Sequence, residues 1–127
     1  MQGREALMYE EALTYKIRGA VFEVYRNLGH GFLESVYQNA LLYELRHLGL
    51  SVESEVPLSV VYKGQVVGEY RADLVVDNMV LLELKSQTML HSTADAQLVN
   101  YLKATGIKIG LLINFTHPKA TIKRLVL

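Results

Sequence analysis

Residues 71–87, with the sequence RADLVVDNMVLLELKSQ, contain two apolar runs joined by a short turn at Asp77-Asn78. Runs of this length that are rich in Val and Leu and bounded by turn residues are typical of a β-hairpin. Three ionisable residues, Asp73, Glu83 and Lys85, stand where apolar side chains are expected. Because an unpaired buried charge is costly, the hairpin must either expose these groups or give them partners.

The register of this hairpin decides whether the two carboxylates meet. A two-residue turn would pair Val76 with Met79 and send Asp73 and Glu83 to opposite faces. A three-residue loop would pair Val76 with Val80 and set Asp73 opposite Glu83, with side-chain origins about 5 Å apart. The sequence permits both registers.

Two carboxylates at that distance repel each other, and one stays protonated unless a cation lies between them. Mg²⁺ prefers carboxylate and carbonyl oxygens, so the three-residue loop predicts a divalent cation site. The alternative is a salt bridge on an exposed sheet face, Glu83 with Lys85 or Asp73 with Arg71.

Hydrophobic periodicity predicts an α/β fold for the whole chain. With 127 residues, 50 % of them hydrophobic, the chain is long enough for one domain with a core, and we expect a single domain over residues 1–127. The predicted order is α-α-β-β-β-α-β-β, a central mixed β-sheet flanked by helices. The predicted elements are a helix ending at Gly29, a helix over about 33–48 with Val36, Ala40, Leu41, Leu45 and Leu48 on its inner face, strands over 56–62, 65–76 and 80–85, a helix from a capping box at 92–95 to about 105, and strands over 107–115 and 121–126.

Composition excludes several classes of protein. The chain has no cysteine, so it forms no disulfide or thiolate metal site. No apolar run approaches the roughly 20 residues that span a bilayer, and the charged opening differs from a signal peptide. We therefore expect no membrane association and a cytoplasmic location.

The charges are unevenly distributed although the net charge is zero. Residues 1–95 carry 8 Lys/Arg and 13 Asp/Glu, a balance of −5, whereas residues 96–127 carry 5 Lys/Arg and no acid. This asymmetry would suit a phosphate-facing side next to an acidic, cation-binding side. Alternatively, the opposite charges pair across the fold.

Several motifs together resemble the PD-(D/E)XK nuclease superfamily. Asp73 followed ten residues later by Glu83-Leu84-Lys85 resembles its D…(D/E)xK signature. Residues 31–37, GFLESVY, match the GxxExxY pattern that names one small-protein family within it, and residues 97–101, QLVNY, resemble the QxxxY motif of RecB-type nuclease domains. The similarity covers about residues 10–127, with Ala72 in place of the superfamily's nominal proline.

The resemblance implies a restriction-endonuclease-like core and a metal site. Asp73 and Glu83 would hold Mg²⁺ or Mn²⁺ with help from the backbone carbonyl of Leu84. Glu34 would supply a further carboxylate from the second helix. Read without the resemblance, Glu34 is only an acid in the first turn of a helix, where it is favourable to the helix dipole.

The resemblance also implies roles for three other side chains. Lys85 would position or help deprotonate the attacking water. Gln97 and Tyr101 lie four residues apart and so share a helix face, and the motif would direct them at Lys85, the metal waters or a DNA phosphate. Without the resemblance they are a surface amide and a tyrosine that packs on the sheet. The four histidines lack metal-ligand spacing, and none is assigned a role.

These features favour a nuclease that uses a metal-activated water to hydrolyse phosphodiester bonds of nucleic acid. DNA is the favoured substrate over RNA. One alternative is a nucleic-acid-binding or assembly module that keeps the fold without turnover. Another is hydrolysis of a different substrate at the same metal site. The neutral net charge is compatible with a protein partner that supplies specificity, and an apolar sheet edge is compatible with a homodimer.

Overall fold

Helices and strands follow one another in the predicted order α-α-β-β-β-α-β-β. The computed structural model describes residues 3–127 of the chain. Its elements are α1 (Arg4–Leu28), α2 (Glu34–His47), β1 (Val52–Tyr62), β2 (Gln65–Val76), β3 (Val80–Lys85), α3 (Ala94–Thr105), β4 (Ile109–Asn114) and β5 (Thr121–Val126).

The strands form one mixed sheet in the order β1-β2-β3-β4-β5. Neighbouring strands are antiparallel except β3 and β4, which run parallel because α3 crosses over between them. The carboxyl ends of β3 and β4 therefore lie at the same edge of the sheet. The predicted mixed sheet with flanking helices is confirmed.

Helices cover both faces of the sheet. α1 and α2 pack on one face, and their core includes Ile17, Val21, Leu41 and Leu45 with alternate residues of the inner strands. α3 packs on the other face over Leu81 and Leu112. Among residues 3–127, no helix is both long and apolar enough to cross a membrane.

The hairpin between β2 and β3 has the three-residue loop. Val76 pairs with Val80 and Leu74 with Leu82. Asp77 and Asn78 both have positive φ angles, 51° and 54°, a backbone conformation that Asn and Asp tolerate better than most residues. The register that sets Asp73 opposite Glu83 is confirmed.

The structure corrects the predicted inner face of α2. Tyr37, Leu41 and Leu45 are fully buried at four-residue steps, whereas Val36 and Leu48 are 36 % and 47 % exposed. Because each residue turns the helix by about 100°, a position one step from the buried row lies toward solvent. The prediction was wrong for Val36 and Leu48.

Some predicted boundaries also change. β1 begins at Val52 and not at Val56, and β4 begins at Ile109. The capping box at 92–95 does not form: the N-cap of α3 is Thr93, which makes no side-chain cap, and the carboxylate of Asp95 pairs with Lys123. The hydroxyl of Thr93 lies 2.8 Å from Nδ1 of His91 instead.

Candidate active site

The candidate site lies where the backbone pairing of β2 with β3 ends. Beyond the Leu74–Leu82 pair, side chains replace backbone partners. The N–H of Leu84 donates to Oδ2 of Asp73 at 2.7 Å, and the N–H of Asp73 is 3.4 Å from Oε1 of Glu83. Each carboxylate thus reaches across to the opposite strand, and the two converge in the gap between β2 and β3.

Burial and mutual repulsion dominate the electrostatics of this pair. Glu83 is only 5 % exposed. Burial, and then the charge of Asp73, raises the pKa of Glu83 to about 8. Burial also raises the pKa of Asp73, against the opposing effect of the Leu84 N–H. The isolated pair therefore retains a proton near neutral pH.

Residues from β1 and α2 hold Asp73 in place. Glu55 has a positive φ of 52° and lies opposite Asp73, between the Ser54–Leu74 and Val56–Ala72 pairs. The amide of Gln38 donates to Oε1 of Glu55 at 3.0 Å and to the carbonyl of Asp73 at 3.3 Å. The sequence interpretation missed both Glu55 and Gln38, because nothing local links them to Asp73.

The alternation of faces that a regular strand shows is interrupted in β2 at Asp73. Ala72 and Val75 both pack in the core beneath α3, although residues three apart in a regular strand face opposite sides. Arg71 therefore does not share a face with Val75. Its Nε lies 4.0 Å from Oε2 of Glu55 and not beside Asp73.

The salt-bridge alternative is not observed. The ion pairs among residues 3–127 are Arg26–Glu23, Arg71–Glu55 and Lys123–Asp95. Neither Asp73 nor Glu83 takes part in one. The Lys123–Asp95 pair shows that some of the charge asymmetry is compensated across the fold.

Lys85 lies two residues beyond Glu83 on β3, so their side chains share a face. It is half-buried, and its positive charge acts to lower the pKa of both Asp73 and Glu83. It makes no salt bridge within 4 Å in the described part of the chain. Lys85 is thus an unshared cation at the edge of the carboxylate pair.

The backbone carbonyl of Leu84 faces the same gap. The carbonyl of Lys85 accepts from the N–H of Phe115 on the β4 side. Since backbone groups of successive strand residues alternate in direction, the carbonyl of Leu84 points toward β2, on the side of its own N–H. Two carboxylates and one carbonyl oxygen are therefore available at one place.

Glu34 is the first residue of α2 and is exposed. Its negative charge contributes to the raised pKa of Asp73 and of Glu83, so it lies near enough to repel the charges of both carboxylates. It makes no direct contact with them, and residues 3–127 contain no group of three acidic or histidine side chains close enough to hold a metal ion.

The two residues of the QxxxY motif differ in their surroundings. Tyr101 is buried in the core beneath α3, with its ring 5.3 Å from that of Tyr70. Burial first, and then the charges of Glu83 and Asp73, raises its pKa to about 12. Gln97, one turn earlier on α3, is exposed.

Asn114 is a positioning residue that the sequence interpretation missed. It is buried at the end of β4 and pairs with Lys85 in the parallel ladder. Its amide accepts from the N–H of Gln87 at 3.0 Å and donates to the carbonyl of Gln87 at 2.9 Å. It thereby holds the segment that follows Lys85. Its polar side chain in the apolar run IKIGLLINF was the available signal.

Tyr37 orders the loop before Glu34. Its hydroxyl donates to the carbonyl of Gly29 at 2.7 Å and accepts from the N–H of Phe32 at 3.3 Å, while its ring stacks on Phe115 at 4.3 Å. The hydroxyl of Ser86 donates to the carbonyl of Phe32 at 2.7 Å. The loop before Glu34 is therefore tied to the segment after Lys85.

The donor set fits a divalent cation. Carboxylate and carbonyl oxygens are the hard ligands that Mg²⁺ and Mn²⁺ prefer. A cation between Asp73 and Glu83 would displace the proton that the pair retains and relieve the repulsion that contributes to the raised pKa of Glu83.

Comparisons with known proteins identify a superfamily and a similar fold. A family model described as the PD-(D/E)XK nuclease superfamily matches residues 11–125. The crystal structure of SSO0001 is similar with a TM-score of 0.58 at 19 % identity, over 72 % of this chain and 48 % of that one. This chain thus spans about half the length of that neighbour, and the likeness concerns the fold. No curated protein matches the sequence significantly.

Proposed function

Because the chain belongs to the PD-(D/E)XK nuclease superfamily, we propose that it is a metal-dependent nuclease that hydrolyses phosphodiester bonds of nucleic acid. DNA is the favoured substrate over RNA. The observation that carries this proposal is the convergence of Asp73 and Glu83 in the gap between β2 and β3. The GxxExxY pattern at residues 31–37 supports placement in the family of that name.

The proposed metal site consists of Asp73, Glu83 and the carbonyl of Leu84, with Glu34 as an outer carboxylate. Mg²⁺ or Mn²⁺ is the expected ion, because all these ligands are oxygens. When bound, such an ion polarises a phosphate and lowers the pKa of a water. The raised pKa of Glu83 supports this assignment, because the positive charge of Lys85 does not offset burial and the charge of Asp73.

Three side chains of the chain itself would act on the substrate. The Lys85 ammonium would orient the attacking water and offset negative charge that develops on the phosphate oxygens. With its pKa near 12, Tyr101 keeps its hydroxyl proton and remains a hydrogen-bond donor. Gln97, exposed on the same helix, would donate its amide to a phosphate.

Further phosphate contacts would come from outside the chain. The net charge is zero, whereas nucleic-acid affinity depends on phosphate neutralisation. A protein partner with basic residues would supply these contacts and the specificity, whereas a second copy of the chain would add the basic residues of its own 96–127 region. The absence of cysteine is compatible with action in a reducing cytoplasm.

The proposal predicts metal-dependent cleavage that needs the carboxylate pair and Lys85. Labelled single- and double-stranded DNA and RNA are incubated with the protein in Mg²⁺, Mn²⁺ or chelator. We expect cleavage only with metal, and a loss of at least about 100-fold in Lys85→Ala and in Asp73→Asn. Lys16→Ala, which changes an exposed lysine on α1, is the matched control and keeps full rate.

A binding measurement accompanies the cleavage assay. Mn²⁺ should raise the melting temperature of the wild-type protein and leave that of Glu83→Gln unchanged. Cleavage that persists in both site variants would identify a contaminant. No cleavage together with no melting shift would reject the nuclease proposal in favour of a non-catalytic module.

A further inference from the structure

A cavity of about 280 Å³ lies beside the candidate site, at the edge where the parallel strands β3 and β4 end. Ligands of open α/β sheets bind outside the carboxyl ends of the strands. Two of its lining residues are the chain neighbours of site residues, because Leu33 immediately precedes Glu34 and Ser86 immediately follows Lys85. A strand cleaved at the carboxylate pair would extend across this opening.

The walls of the cavity carry hydrogen-bond donors and no carboxylate. The rings of His30 and His117 lie 4.7 Å apart at 52° to each other, and both residues are exposed. Ser86, Thr88 and Thr116 add hydroxyl groups. Imidazole N–H groups and hydroxyls suit an anion, whereas the neighbouring cluster of Asp73, Glu83, Glu34 and Glu55 repels one.

Phe32 gives the cavity an aromatic wall. It is 46 % exposed, and its ring lies edge-on to Tyr37 with centroids 6.1 Å apart. Nucleic-acid bases stack on exposed aromatic rings of this kind, with a preference for the ring face and little dependence on sequence.

The three lining segments are fixed by hydrogen bonds to the body of the protein. The hydroxyl of Tyr25 donates to the carbonyl of Thr116 at 2.7 Å. The Ser86–Phe32 bond joins the two other segments, and Asn114 holds Gln87. The cavity is therefore formed before a ligand arrives, which reduces the entropic cost of binding.

We propose that this cavity binds the nucleotide next to the scissile phosphate. The imidazoles of His30 and His117 would bind its phosphate, and its base would stack on the ring of Phe32. The inference rests on the proposed nuclease function, because cleavage at the carboxylate pair decides how the substrate strand runs past the cavity. It makes His30 and His117 substrate-binding residues, a role that their spacing in the sequence did not indicate.

The first test is a titration with thymidine 5′-monophosphate in chelator, followed by NMR of the imidazole resonances. We expect saturable shifts at His30 and His117 and none at His47 and His91, which lie outside the cavity. Nucleotide should bind at least about fivefold more tightly than inorganic phosphate or thymidine alone, because it uses both the imidazoles and the aromatic wall. Absence of shifts at about 10 mM nucleotide, or equal shifts at all four histidines, would overturn the inference.

The second test uses a short oligonucleotide with metal. His30→Ala combined with His117→Ala should raise KM at least about tenfold, with the loss in KM and not in kcat. His47→Ala, which removes an exposed imidazole stacked on Tyr43, is the matched control. Cleavage with unchanged KM in the double variant would reject the cavity and leave the nuclease proposal intact. Nucleotide shifts in a protein that cleaves nothing would support the cavity as a nucleotide site and reject the nuclease proposal.

Discussion

Single residues set the protonation of the candidate site. Asp73 accepts a short hydrogen bond from the backbone of β3, whereas Glu83 accepts only a long one from β2. The short bond stabilises the ionised form of Asp73. Glu83, which is more deeply buried, is therefore the group that holds the proton near neutral pH.

The raised pKa of Glu83 predicts a pH-dependent stability in the absence of metal. The pKa is about 8 in the native protein against 4.5 ordinarily. Between these values the native state binds more protons than the unfolded state, so the free energy of unfolding decreases as pH rises. The contribution is complete below about pH 4.5 and is lost as pH rises through about 8. Relative to Glu83→Gln, the wild type should lose a few kcal/mol between about pH 5 and about pH 8.5, measured by urea denaturation in chelator.

Glu53→Gln is the control for this experiment, because Glu53 is an exposed acid on β1 away from the pair. Its stability should follow that of the wild type at every pH. Parallel curves for the wild type and Glu83→Gln would mean that the pair binds no extra proton.

At the scale of elements, the loop between α1 and α2 positions the start of α2. Tyr37 lies on α2 but bonds back to Gly29 and Phe32 in the loop. The first turn of α2, with Glu34, is thus held against the end of β3. Tyr37, the tyrosine of the GxxExxY pattern, therefore has a structural role: its ring lies in the core and its hydroxyl supports the loop.

Tyr37→Phe removes the loop bonds and keeps the ring that stacks on Phe115. We expect a loss of about 1 kcal/mol in the free energy of unfolding and faster amide exchange at Phe32, whose N–H loses its partner. Urea denaturation and hydrogen exchange measure the two effects. Tyr43→Phe, at an exposed tyrosine of the same helix, should change neither. Equal behaviour of the two variants would show that the hydroxyl of Tyr37 does not hold the loop.

At the scale of the molecule, the height of α3 above the sheet depends on one glycine. A Cβ at Gly110 of β4 would meet the side chain of Leu98 at 2.9–3.1 Å. The glycine therefore lets α3 approach the sheet closely. Since α3 carries Tyr101, this approach also sets the distance of Tyr101 from the carboxylates on β2 and β3.

Gly110→Ala should push α3 outward and lower the free energy of unfolding by about 1–3 kcal/mol. Cleavage should also be reduced, because Tyr101 moves with the helix.

Gly19→Ala is the opposite case. Gly19 lies in the interior of α1, and its added methyl would meet nothing within 4 Å, so the substitution should stabilise by up to about 1 kcal/mol. Urea denaturation of both variants checks the pair. A Gly110→Ala protein as stable as the wild type would show that Leu98 moves aside without cost.

The sequence alone determined the identity and order of the elements. Periodicity and capping glycines are local properties, and so the ends of α1 at Gly29 and of α3 at Gly106 could be predicted from neighbouring residues. Local pattern failed at Val36, which lies one step from the buried row of α2. It also left two registers open for the hairpin that carries Asp73, since both turns are compatible with the same residues.

Only the tertiary structure decided which register forms and which distant residues surround the carboxylate pair. Gln38 is 35 residues from Asp73, and Asn114 is 27 residues from Gln87. The two imidazoles of the cavity come from loops that are far apart in the sequence, His30 between α1 and α2 and His117 between β4 and β5. Contacts of this kind depend on how strands and helices pack against each other, and no local pattern of residues encodes that arrangement directly.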